Sequence, residues 1–127
     1  MVLFVFTDLP RLPVNALVVS IPSGLESLNS LFDVLRTELG LPDYFGANLD
    51  ALSEVLRDLH WVDQSCVVLL HSGETFRDDK LFGVYLSILQ ECVDDWRRDQ
   101  EGRLVVIFPA SMEERVRSLL ASETGGK

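Results

Sequence analysis

The sequence predicts an α/β fold built on a parallel sheet, and two observations predict it. Three short runs rich in β-branched and large apolar residues stand at 16–21, 66–70 and 104–108. Long stretches with helical periodicity separate them. Strands that alternate with helices pair in parallel through helical crossovers, which the strand twist makes right-handed. With 127 residues, 47% of them apolar, the chain is long enough to bury a core without staples. Residues 1–127 read as one domain, with no internal repeat, low-complexity segment or linker.

The elements follow in order. Val2 to Phe6 is apolar and rich in β-formers, an added edge strand. Pro10 and Pro13 break the chain after it. Ala-Leu-Val-Val-Ser-Ile at 16–21 is continuous enough for a strand buried on both faces. Pro22-Ser23-Gly24 turns, and Ser23 with Glu26 has capping-box spacing. Leu25, Leu28, Leu31, Phe32, Leu35 and Leu39 mark an amphipathic helix, which Gly40 ends. A second helix begins near Asn48 and runs to about His60. After the strand at 66–70, residues 71–80 form a polar connection with one helical turn around Phe76. The longest helix spans 81–98, with Leu81, Phe82, Tyr85, Ile88, Leu89, Cys92, Val93 and Trp96 on its broad apolar face and Ser87, Gln90, Glu91 and Asp94 opposite. Gly102 separates it from the last strand. Ser111 and Glu114 again have capping-box spacing, before a short C-terminal helix with a Met112, Val116, Leu119 and Leu120 stripe. That stripe packs on the body or on a partner, and 122–127 fray.

The residues with chemical character concentrate between Leu41 and Leu56. Pro42 bars continuation of the first helix. Gly46 permits a backbone conformation or a close approach that a side chain would forbid. Asn48 is a good N-cap. Leu49, Leu52, Val55, Leu56 and Leu59 then fall at helical spacing and leave Asp50, Ser53, Glu54 and Arg57 on the solvent side. Asp50 and Glu54 are four apart and so adjacent on the helix surface, and Arg57 is placed to pair with Glu54. An exposed acidic pair is ordinarily a solvated face. Here Tyr44, a glycine and two carboxylates converge on one loop–helix junction, the mixture that recognition surfaces use.

Charge narrows the partner. Twenty acidic residues against eleven basic ones give a net charge of −9. That sign argues against nucleic acid or an anionic membrane and suits a basic partner. Cys66 and Cys92 fall on predicted buried faces without metal-site spacing and read as free core thiols in a reducing compartment, with a bridge between them the alternative. No secretory signal or membrane-span pattern is present, so a cytoplasmic location is expected. No nucleophile motif, phosphate loop or zinc motif occurs. His71, at the end of a predicted strand, together with Asp50 and Glu54 would be the material for an enzyme. A lone histidine and two carboxylates are thin for catalysis or for a hard cation. No cofactor or metal is expected.

The run Leu41-Pro42-x-Tyr44-Phe45-Gly46-x-Asn48-Leu49-Asp50-Ala51-Leu52, with an acid at Glu54, resembles the barstar family of small intracellular inhibitors of secreted ribonucleases. The order of elements agrees over roughly residues 16–108. The resemblance implies a three-stranded parallel sheet with helices packed on it, no enzymatic activity, and a basic ribonuclease or nuclease toxin as protein partner. The free chain is expected to be a monomer. By the same resemblance Tyr44, Gly46, Asn48, Leu49, Asp50, Ser53, Glu54 and Asp58 face the partner, with Asp94 or Glu91 on the long helix. The sequence departs from the family pattern in three places. Glu54 replaces an aspartate, and Ser53 and Leu59 stand where aromatics are common. Those departures leave open an immunity or regulatory protein that binds a non-ribonuclease partner through the same face.

Overall fold

The structure, a computed structural model, describes residues 3–42, 46–99 and 101–125. Val2, at the start of the predicted edge strand, lies outside the described residues, as do the last two positions of the predicted frayed end. The order of elements is β1 (Val5–Phe6), β2 (Ala16–Ile21), α1 (Leu28–Leu39), α2 (Leu49–Asp58), β3 (Cys66–His71), α3 (Asp79–Arg98), β4 (Leu104–Phe108), a 3₁₀ turn (Ala110–Met112) and α4 (Glu113–Gly125). The four strands form one parallel sheet in the order β1-β4-β3-β2. The N-terminal run is therefore an added edge strand, two residues long, beside β4.

Alternation along the strands divides the apolar residues between two faces. Val19, Ile21, Val67, Leu69, Leu104, Val106 and Phe108 join the buried residues of α1, α2, α3 and α4 in one core. Cys66, Val68 and Ile107 form a small second cluster on the other face. Cys66 and Cys92 thus belong to separate clusters, and both are free, buried thiols. The predicted double burial of residues 16–21 does not occur. As the last strand of the sheet, β2 keeps Ser20 exposed and buries only Val19 and Ile21 fully.

Two predicted local features are replaced by longer-range pairing and two more by neighbouring contacts. Ser23 does not cap α1. The N–H groups of Gly24 and Leu25 donate to Glu74 O and Thr75 O at 2.8 and 2.7 Å, so the chain stays extended there. The helix begins after Ser27, whose hydroxyl accepts from Ser30 N–H. The same pairing bridges Leu25 to Phe76, which removes the helical turn expected around Phe76. α3 starts at Asp79 instead of Leu81 because Asp78 caps it, accepting from the N–H groups of Lys80 and Leu81. At the other end of the chain, Ser111 lies inside the 3₁₀ turn and not at a helix N-cap.

α4 is regular to Gly125, so 122–125 are not frayed, and it packs on the body, burying Val116 and Leu120. A Cβ on Gly83 would come within 3.2 Å of the Glu123 side chain, so the glycine lets α4 lie close against α3. Arg115 ties the start of α4 to Glu74 at 2.8 Å and to Asp79.

The core holds one polar group of consequence. His71 ends β3, as predicted, but it is buried. Its ring stacks on Phe108 at 4.0 Å. Nε2 meets the Tyr85 hydroxyl at 2.7 Å and Nδ1 meets Ile107 O at 3.1 Å. Burial pushes the Tyr85 phenol well above its ordinary range, so it donates to Nε2, and Nδ1–H donates to the carbonyl. Burial also lowers the His71 pKa to about 4, against a smaller raising effect of its backbone bonds. The ring is neutral at pH 7 and has both nitrogens committed, which takes it out of the set of candidate bases.

A pH dependence follows. Between the ordinary imidazole pKa of about 6.5 and the folded value of about 4, the unfolded chain binds a proton that the folded chain refuses. Stability should therefore fall as pH is lowered through that window, by on the order of 3 kcal/mol from this residue. Urea midpoints of wild type and His71→Phe, measured from pH 7 to pH 4.5, check it. The variant should be weaker at pH 7, by roughly 1–3 kcal/mol for the lost bonds, and should show the shallower acid slope. Parallel slopes would contradict the assignment.

Candidate protein-binding site

The acidic stretch identified in the sequence is α2. Asn48 takes an extended backbone, and its Oδ1 accepts from Ala51 N–H at 2.8 Å, closing the first turn. Gly46 has a concrete steric role, because a Cβ there would lie 3.3 Å from Asn48 Nδ2. The glycine makes room for the cap. Leu52, Val55 and Leu56 are buried with Ala51. That fixes the roll of the helix and turns Asp50, Glu54 and Asp58 to solvent in one i, i+4 row. Leu49 and Ser53 sit at the margin, half-buried.

The far end of α2 is fixed by two side chains from the C-terminal half of the chain. Trp96 Nε1–H donates to Leu56 O at 2.8 Å. The Arg103 guanidinium donates to Leu59 O, Val62 O and Gln64 O at 3.0–3.1 Å, with its charge over the Trp96 ring. Leu59 ends the helix in the left-handed region at φ 53° and is wholly buried. At this position, where the family commonly has an aromatic, the chain presents nothing to a partner.

Arg57 does not pair with Glu54. Its guanidinium reaches across to α3, 3.5 Å from Glu91 and 3.1 Å from Asp95. Spacing within α2 favoured the intrahelical partner. The contact that forms is set by how α3 lies beside α2, and it brings in Asp95, which the sequence did not single out. The only trace in the sequence is the i, i+4 acidic spacing of Glu91 and Asp95. Asp94 is turned elsewhere, bound to Arg98 at 2.9 Å in a depression shared with Leu3 and Arg97. Asp58 pairs with His60 at 2.7 Å at the opposite end of α2 from the loop.

The predicted residues therefore fall into two sets. Gly46, Asn48, Leu49, Asp50, Ser53, Glu54 and Asp58 follow one another along α2 and its entry, Asp58 at the far end paired with His60, while Asp94 lies on α3. Tyr44 lies outside the described residues. The first set can accept hydrogen bonds from cations over an exposed surface, and the Arg57 bridge ties that surface to α3. Among the described residues no group of three or more His, Cys, Asp or Glu side chains is placed to hold a metal ion. No described helix is long and apolar enough to cross a membrane.

Asn48→Ala should lower stability by about 1 kcal/mol through loss of the cap. Arg57→Ala should cost less than about 1 kcal/mol, because the bridge is solvent-exposed. Chemical unfolding of both variants checks the ranking, and a larger loss in Arg57→Ala would reverse it.

Comparison with known proteins places the chain in a family. The family model described as Barstar (barnase inhibitor) matches residues 17–108. A Bacillus subtilis (strain 168) protein named "Putative ribonuclease inhibitor YrdF" is 29% identical over 83 residues, which cover 65% of this chain and 87% of that one. No solved structure matches the chain.

Proposed function

This chain belongs to the barstar family, and on that premise we propose that it is a protein inhibitor of a basic ribonuclease. The observation that carries the reading is the exposed acidic edge at the amino end of α2, Asp50 and Glu54, on a helix whose roll and ends are fixed. A ribonuclease cleft is cationic because it holds phosphate. Carboxylates on a rigid helix can occupy the positions of phosphate oxygens and form charge-assisted bonds with Arg and Lys there. Occlusion of the RNA site needs no catalytic group in the inhibitor. The net charge of −9 supports fast encounter with a basic partner.

In this reading Tyr44, Gly46, Asn48, Leu49, Asp50, Ser53, Glu54 and Asp58 face the ribonuclease. On the long helix, Asp94, which is bound to Arg98, or Glu91, which Arg57 links to α2, contacts the ribonuclease. A secreted or toxin ribonuclease, met in the cytoplasm of the cell that makes both proteins, fits an inhibitor of this kind. A second reading keeps the surface and changes the target. Ser53 and the buried Leu59 remove two aromatic contacts common in the family, and Arg57 offsets part of the acidic field. Those features would suit a non-ribonuclease partner of an immunity or regulatory protein.

Titration of a basic microbial ribonuclease of the barnase type with this protein tests the proposal, and stoichiometric inhibition is expected. Asp50→Ala with Glu54→Ala should weaken binding by several kcal/mol in total, roughly 2 or more at each position if both are hot spots, with little change in folding. Unchanged inhibition in the double variant would take α2 out of the interface. No inhibition by the wild type would favour the second reading. Raising salt should slow association more than it speeds dissociation, measured by stopped flow, because steering acts over a Debye length.

A further inference from the structure

Two features away from α2 have no role in the reading above, and each has what the other lacks. The first is a groove of about 910 Å³ where the strands end. That volume is at the upper end of the roughly 300–1,000 Å³ typical of ligand pockets. Its apolar floor and walls include Ile21 at the end of β2 and Pro22 after it, Leu70 in β3, Pro109 after β4, and Val34 on α1. Asp33 and Glu38 of α1 also line it; Asp33 is paired with Arg36 at 3.0 Å, so Glu38 supplies most of its negative side.

The second is the segment joining β1 to β2. Among the described residues, the exposed large hydrophobic side chains are Val5, Leu9, Leu12 and Val14, all within ten consecutive positions. Leu9 is 87% exposed and Val14 is entirely so. Scattered exposed leucines are ordinary, but a run of them on one short segment marks a contact surface. In Leu9-Pro10-Arg11-Leu12-Pro13-Val14 the prolines keep the middle out of regular structure, between a bend at Leu9 and a turn at Val14, and Arg11 is its single charge.

The segment is fixed at both ends, and of its residues Pro10 lines the groove of its own chain. Thr7 N–H donates to Phe108 O at 3.0 Å, and Asp8 accepts from Ala110 N–H at 3.1 Å. Asn15 O accepts from Ser65 N–H at 3.0 Å and from its hydroxyl at 2.9 Å. Thr7, Asp8 and Pro10 form one wall of the groove. A two-fold axis beside Pro10 would set two such segments side by side, each in the groove of the other molecule.

We propose that the chain self-associates through this exchange: the 9–14 segment of one copy lies in the strand-end groove of a second, with Leu9, Leu12 and Val14 on the apolar floor and Arg11 against Asp33 and Glu38. The contact is isologous, so it closes at two copies. It departs from the monomer expected of the sequence, and it leaves the acidic edge of α2 free, so it stands independently of the inhibitor reading.

Sedimentation velocity of the full chain from about 1 μM to about 1 mM, a span that brackets weak dimers, tests it. The wild type should dimerise. Leu9→Ser with Val14→Ser, both at exposed positions, should raise the dimer Kd at least about tenfold with an unchanged melting temperature. Arg11→Glu should weaken the dimer, and Glu38→Arg in the same chain should restore it, as expected for directly paired charges. A wild type that stays monomeric over the whole range overturns the proposal. So does a dimer indifferent to the Leu9/Val14 variant, or one that Arg11→Glu weakens and Glu38→Arg fails to restore.

Discussion

The position of the acidic helix depends on the anchoring of its carboxyl end. Trp96 and Arg103, some forty residues further along the chain, together bond to four carbonyls between Leu56 and Gln64. A helix leaves its last carbonyls without internal partners, and burying them unpaired costs about 1–3 kcal/mol each. Here one indole satisfies Leu56 O in the last turn, and one guanidinium takes Leu59 O at the cap and two carbonyls of the turn beyond it. The same bonds hold Leu59 in a left-handed conformation that costs a side-chain-bearing residue roughly 1–2 kcal/mol. The turn after α2, the direction in which the chain enters β3, and the seating of α2 on α3 all follow from that lock.

With its far end fixed, the near end of α2 needs only local chemistry. Asn48 caps it and Gly46 clears space for the cap. The buried Leu52, Val55 and Leu56 set its roll. An exposed carboxylate pair on a loose helix would spend its binding energy on ordering. On a helix held at both ends by buried contacts that cost is already met in folding, which is the physical advantage of building a recognition surface on a packed element. Arg57 extends the arrangement across to α3. It trades some negative potential for a fixed relation between Glu54's helix and the helix carrying Glu91 and Asp95.

The sheet is packed unequally, and that shapes the rest of the molecule. All four helices contribute to a single core on one face, and His71 closes that core with a neutral, doubly bonded ring instead of an apolar side chain. The other face carries only a small cluster. The connection between β1 and β2 has to pass from one edge of the sheet to the other, since these strands lie at its two ends. Among the described residues, the exposed large apolar side chains belong to that crossing and to the start of β1.

Periodicity and caps by themselves determined a good deal: β2 and β4 to the residue, β3 to within one position, α2 with its Asn48 cap, the Gly40 stop, and the acidic row at Asp50 and Glu54. These are set by period, backbone conformation and a cap within a few residues, and such forces are local. The tertiary structure decided what local forces cannot rank. Ser23 and Ser111 carry cap spacing as good as that of Asn48. Extended pairing with Glu74 and Thr75 overrides the first, and a 3₁₀ turn absorbs the second. Arg57 had an acid in reach on its own helix and took two from another. His71 read as a strand-end residue that could supply a base, and it became part of the core because Tyr85 and Phe108 close over it. Except at Ser111, the winning partner lies more than ten residues away in the sequence. Its proximity is a product of packing, which no short window of sequence contains.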